Sequence, residues 1–178
     1  MTISLHALAI ETFVPVLSDL SHLLDKGAEF AKKKGFEPEN LVNSRLAPDM
    51  YSLARQVQLA CDNAKGAVAR VVGKEPPRHD DTEETIDELK ARIEKTIAYL
   101  KGVKPTDFEG AAERKVRMDL PADLILEMSG FEFLKDWALP HFYFHVVTAY
   151  DILRHNGVDI GKRDYMGHVG AYIRPRKK

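Results

Sequence analysis

Between residues 4 and 34, apolar side chains return at Leu8, Val16, Leu20, Leu23/Leu24, Ala28 and Ala31, in steps that draw one stripe along a helix. The spacing predicts a single long helix, kinked or restarted at Pro15, because proline removes a backbone donor and crowds the preceding turn. Lys32, Lys33 and Lys34 followed by Gly35 predict its end: cations favour the negative pole of the helix dipole, and glycine accepts left-handed backbone. A connector punctuated by Asn40, Asn43 and Ser44 leads to Pro48, which is placed as a first-turn proline. A second helix is predicted over residues 48–73, its inward seam running through Leu53, Val57, Ala60/Cys61, Ala64, Val68 and Val71. After a proline-broken polar loop, Asp81 or Thr82 is the expected cap of a third helix with the stripe Ile86, Leu89, Ile93, Ile97 and Leu100.

The period then changes. Over residues 114–120, Val116, Met118 and Leu120 alternate with Lys115, Arg117 and Asp119, the mark of a half-buried strand. With residues 123–128 this predicts a small hairpin turning at Pro121-Ala122. A fourth helix is predicted over residues 130–156, with Pro140 inside it and Gly157 as its stop. Four helical blocks predict one all-α domain over residues 1–178. Its architecture is a four-helix bundle with a β-hairpin insert and a third connection long enough to cross the bundle end.

Composition narrows the function classes. The chain has 178 residues, 44% hydrophobic and 30% charged, with a net charge of -1, so it can bury a core and lacks the cationic excess that nucleic acid as main partner requires. A basic end formed by Lys162, Arg163, Arg174, Arg176, Lys177 and Lys178 reads as a solvated tail. No apolar run approaches the roughly 20 residues that cross a bilayer. Glu11 interrupts the first apolar stretch and no lysine precedes it, so no secretion signal is read and no membrane partner is expected. The single cysteine, Cys61, falls on an inward seam and is expected to behave as a small apolar side chain in a reducing, cytoplasmic setting. Nothing matches a phosphate loop, a dinucleotide fingerprint or a nucleophile elbow, so no nucleotide cofactor is expected.

The chemistry lies in His141-Phe142-Tyr143-Phe144-His145. Histidines four apart share one helix face and can reach one divalent ion. The inward steps Leu134, Ala138, His141, His145, Thr148 and Ile152 turn both toward the bundle interior, where metal sites of helical bundles are built. The alternative is a pair of histidines held by hydrogen bonds in a polar pocket. A third ligand must come from another helix. The second helix has no histidine, although Asp49, Gln56 and Asn63 step by sevens along its flank; His6 and His22 stand on the first helix. Asp49 is a candidate base or ligand, or simply a carboxylate favoured at a helix start. The aromatic residues Phe131, Phe133, Trp137, Phe142, Tyr143 and Phe144 surround their helix on every side, more than one seam buries, which predicts contact with a partner chain.

Leu46-Ala47-Pro48-Asp49-Met50 with Gln56, Leu139-Pro140 before Phe142-Tyr143-Phe144-His145, and Leu153-Arg154-His155-Asn156-Gly157-Val158 with Gly161-Lys162 together resemble an uncharacterised bacterial and fungal branch of the DinB/YfiT-like superfamily. The resemblance covers essentially the whole chain. It implies a DinB-type bundle with a long crossover connection, frequent dimerisation, and a cleft where members often hold zinc or nickel through three histidines. One of those ligands lies on the second helix and two on the fourth; His141 and His145 match the second pair, while the second helix here offers Asp49, Gln56 and Gln58. Two expectations follow. One is a metal-dependent hydrolase or thiol transferase acting on a small molecule, with a divalent metal (zinc or nickel) on His141 and His145. The other is a non-catalytic bundle, a ligand-binding protein or homodimer lacking the metal triad, whose histidines bond to Asp49, Gln56 or water.

Overall fold

The computed structural model describes residues 4–176. Helix α1 (Leu5–Lys34) is capped by Ser4, whose hydroxyl accepts from the Ala7 amide, and ends at Gly35 in the left-handed region (φ 76°). It continues through Pro15 as one helix. Its 30 residues are long and apolar enough to span a bilayer by composition, yet Phe13, Leu17, Leu20 and Leu24 are fully buried in the protein core. A short helix α2 (Glu39–Val42) follows.

Helix α3 (Leu53–Val71) starts later than its sequence predicts. Met50 donates to the Ala47 carbonyl at 3.0 Å, so residues 47–50 form a turn with Pro48 at its second position, where a fixed φ suits a turn as well as a helix start. Helix α4 (Ile86–Gly102) is capped by Thr85, whose hydroxyl accepts from the Glu88 amide while the Glu88 carboxylate accepts from the Thr85 amide. Asp81 and Thr82, the expected caps, lie outside the helix because Asp81 is drawn to Arg92 and Arg55.

Strands β1 (Lys115–Leu120) and β2 (Leu124–Ser129) pair antiparallel with Leu120 opposite Leu124. The turn at 121–123 places Ala122 and Asp123 at positive φ. Ser129 then caps a helix that proceeds as α5 (Gly130–Glu132), a π-helical segment (Phe133–Ala138) and α6 (Leu139–His155). In the π segment the Leu139 amide bonds to the Leu134 carbonyl, five residues back. Pro140, next in line, has no amide to donate and its ring crowds the carbonyl four residues back, so widening the helix by one residue accommodates it.

Around the bundle the long helices run in the order α1, α4, α3, α6. Asp25 meets Lys90 and His6 meets the Val103 carbonyl, so α1 and α4 are antiparallel. Phe13 meets Phe142, and Gly27 meets Leu153, so α1 and α6 are parallel. Arg55 meets Asp81 near one end and Lys74 meets Asp107 near the other, so α3 and α4 are also parallel. The directions are therefore up, down, down, up. The crossover is the second connection, residues 73–85, which runs back along the bundle, whereas the third connection carries the hairpin across the bundle end between diagonal helices.

A buried Arg92 fastens that crossover. Its guanidinium, 1% exposed, bonds to Asp62 at 2.7 Å, Asp81 at 2.9 Å, Glu83 at 2.9 Å and the Asp80 carbonyl at 2.8 Å. Gln58 joins the same network by donating to Glu83 and accepting from Arg55. At the C-terminal end α7 (Lys162–Tyr165) is held to α1 by Lys26 and Asp164 at 3.0 Å, and Asp19 accepts from the backbone amide and ring of His168. Arg163, Arg174 and Arg176 are exposed, as the solvated-tail reading expects; Lys177 and Lys178 lie outside the described residues.

Candidate functional site

Helices α3 and α6 pack antiparallel, and the flank of α3 that steps by sevens faces α6. Gln56, Asn63 and Arg70 lie along it; opposite them stand His145, then His141, then Trp137 and Phe133. Asp49 lies outside this row, because the helix begins after it and leaves it exposed in the 47–50 turn. Gln58 is likewise turned away, into the Arg92 network. On α1, His6 bonds to the Val103 carbonyl at 3.3 Å and stacks edge-on with Phe108, while His22 is exposed.

His145 is 5% exposed and its Nδ1 lies 2.8 Å from Oε1 of Gln56. The amide orientation follows from the network: Nε2 of Gln56 donates to the Tyr51 carbonyl at 3.3 Å, which leaves its oxygen for the imidazole. Nδ1 therefore carries the proton, and Nε2 presents a lone pair that is buried and has no partner. Burial lowers the pKa of His145 to about 4, helped by the charges of His141 and Arg55. His141, one turn earlier and expected to turn inward with His145, is instead exposed at the helix surface; its ring lies 4.9 Å from that of His145 and edge-on to Trp137 at 5.7 Å, and partial burial lowers its pKa too. Both rings are neutral at physiological pH.

A groove of about 180 Å³ opens beside His141, between α3 and the π segment. Leu59, Ala67, Met118, Phe133 and Trp137 supply its apolar wall, and Asn63 and Arg70 its polar one. The π segment positions both aromatic residues. Asp62 also borders the groove, but its carboxylate is engaged by Arg92 and by Lys65 at 2.9 Å.

Chemically, a neutral imidazole with a pKa near 4 is a poor general base at pH 7, where the effective base titrates near the working pH. Its lone pair suits accepting a hydrogen bond or ligating a metal. The two donors fit a metal only in part: Gln56 orients His145 as a supporting residue orients a ligating histidine, yet a catalytic zinc takes three protein ligands. Among the described residues no group of three His, Cys, Asp or Glu side chains is placed to hold a metal ion, here or elsewhere. Gln56 holds the facing position on α3 and offers its oxygen to a proton.

Two features escaped the sequence reading. Arg92 sits between Leu89 and Ile93 on an inward stripe, a position at which an arginine must find carboxylates. Arg70 continues the heptad steps of Gln56 and Asn63 by one more, a spacing that places it on the groove.

Comparisons with known proteins agree on this architecture. The model of a family described as "Domain of unknown function (DUF1993)" matches residues 5–166. The crystal structure of a DinB family member protein from Shewanella denitrificans has 42% sequence identity and a TM-score of 0.85, covering 98% of this chain and 95% of that one. No curated protein matches. With a matching family model over most of its length and a relative alike over nearly all of it, the chain belongs to the DUF1993 family and is a DinB-like helical bundle.

Proposed function

We propose that this chain is a small-molecule-binding protein of DinB type, whose ligand enters the groove between α3 and the π segment beside the neutral imidazole of His141, one turn from that of His145, with no metal held by the protein's ligands alone. The observation that carries this reading is the groove lined by Asn63, Arg70 and His141, with the unpartnered Nε2 of His145, locked as an acceptor by Gln56, buried one turn from His141. A buried polar atom without a partner is costly, and a ligand or water that donates to it removes the cost. The groove supplies the accompanying shape, apolar on one side with a few convergent polar groups, as small-molecule sites are built.

The same lone pair supports a second reading, in which zinc or nickel binds His141 and His145 and takes the rest of its shell from a ligand or solvent. The metal would then polarise the ligand or lower the pKa of bound water, and hydrolase or thiol-transferase chemistry belongs to this reading. A thermal-shift screen of small polar molecules separates the two. Ligands that stabilise the chain equally with and without EDTA, and lose their effect in His141→Ala, support the first; stabilisation that requires added zinc or nickel supports the second.

Homodimerisation is proposed as well, supported by Tyr143, Phe144 and Val147, which are exposed together on α6. Light scattering of Phe144→Asp tests it: a dimer that dissociates in this variant is the expected result, and a monomeric parent chain contradicts it.

A further inference from the structure

We propose that the ligand of this groove is a small organic carboxylate with an apolar, aromatic-sized body, and that the guanidinium of Arg70 receives its carboxylate. The proposal rests on the reading of the groove as a ligand site and adds the chemistry of what it takes.

Arginines that leave bulk water need anions or carbonyl oxygens. Arg92 has three carboxylates, Arg55 is paired with Asp81, and Arg114 donates to the Val71 carbonyl at 2.6 Å. Arg70 differs. Half-buried at the groove, it forms no ion pair and no side-chain hydrogen bond among the described residues; burial lowers its pKa, and only the charge of Glu75, beyond ion-pair distance, opposes this. Its position is built rather than incidental. A Cβ at Gly66 would stand 2.6 Å from Nη1 of Arg70, so the guanidinium lies back along α3 over a glycine, in space that any other residue would fill.

The neighbours define the rest of the ligand. Arg70 is the only formal cation on the groove wall, since His141 is neutral and the Asp62 carboxylate is satisfied by Arg92 and Lys65. One unpaired cation matches a monoanion, and its planar fork matches a carboxylate in bidentate contact. Phe133, Trp137 and Met118 offer apolar and ring contacts to the body. A cavity of about 180 Å³ corresponds to on the order of six waters, the size of a benzoate rather than of a long-chain acid.

Trp137 is the only tryptophan in the chain and lines the groove, so its fluorescence reports occupancy directly. The test titrates the full chain with benzoate, with benzyl alcohol as a neutral analogue, and with inorganic phosphate. The expected result is that benzoate binds at least about tenfold more tightly than benzyl alcohol, and that Arg70→Gln removes this preference. Gly66→Ala, which keeps α3 intact but displaces the guanidinium, weakens benzoate binding in the same direction. Equal affinity for benzoate and benzyl alcohol, or an unchanged preference in Arg70→Gln, overturns the carboxylate assignment and leaves the ligand-site reading standing. Phosphate displacing benzoate at lower concentration also overturns it. If neither benzoate nor benzyl alcohol alters Trp137, both the assignment and the reading beneath it fall.

Discussion

The hydrogen bond from His145 to Gln56 decides which ring nitrogen carries the proton, and so what the site can do. Long-range proton–nitrogen correlation at pH 7 is expected to find His145 as the neutral Nδ1–H tautomer; an imidazolium or an Nε2–H tautomer contradicts the assignment. The same burial links stability to pH. An unfolded imidazole titrates near 6.5, whereas His145 in the fold titrates at about 4, so between those values the unfolded chain binds more protons. The stability from keeping this ring neutral is fully present above pH 6.5 and is lost as pH falls toward 4, a loss of roughly 3 kcal/mol. Urea unfolding at a series of pH values is expected to show this slope in the parent chain and a flatter one in His145→Asn. Cys61 tells a parallel story: burial pushes its thiol up to about 12, so a thiol reagent should modify it only as fast as the chain unfolds. Rapid modification of the folded protein would contradict that. Cys61 and His145 were legible as inward positions from periodicity and Gln56 as a flank position, whereas His141, expected inward, is exposed at the groove. Asp49 was misplaced because Pro48 serves a turn and a helix start equally well, and only tertiary contact chooses between them.

At the scale of elements, the helical cores and the alternating strand were legible because burial repeats along the chain, while their ends were set by partners far away in sequence. The cap of α4 moved to Thr85 because Arg92, within α4, reaches back to hold Asp81 and Glu83 in the crossover, and Arg55 and Asp62 of α3 join it there. Removing one side of a buried ion network leaves charges without partners. Arg92→Ala is therefore expected to cost about 3 kcal/mol in urea unfolding and to open residues 75–83 to limited proteolysis. An unchanged midpoint, or protection of that loop, would show that the network does not hold the crossover. The π segment was signalled by Pro140 but not readable from it, since a proline inside a helix can kink, break or widen it. Its consequence is the shape of the groove: the extra residue sets where Phe133 and Trp137 stand opposite Arg70.

At the scale of the molecule, four amphipathic helices imply a bundle, but their order and directions depend on which connection runs the length of the barrel-shaped core. Residues 73–85 carry no apolar period to mark that path; it is fixed by Arg55, Gln58, Asp62 and Arg92 reaching across from α3 and α4. The up-down-down-up arrangement brings α3 against α6, so that a glutamine, an asparagine and an arginine face two histidines and a tryptophan. In the proposed function, the groove at this row takes a small ligand with no metal held by protein side chains alone. Elemental analysis of the tag-free protein after loading with zinc or nickel and desalting, beside His145→Ala treated identically, tests it most directly. The expected result is metal far below stoichiometric in both; near-stoichiometric zinc or nickel in the parent chain that disappears in His145→Ala overturns the proposal.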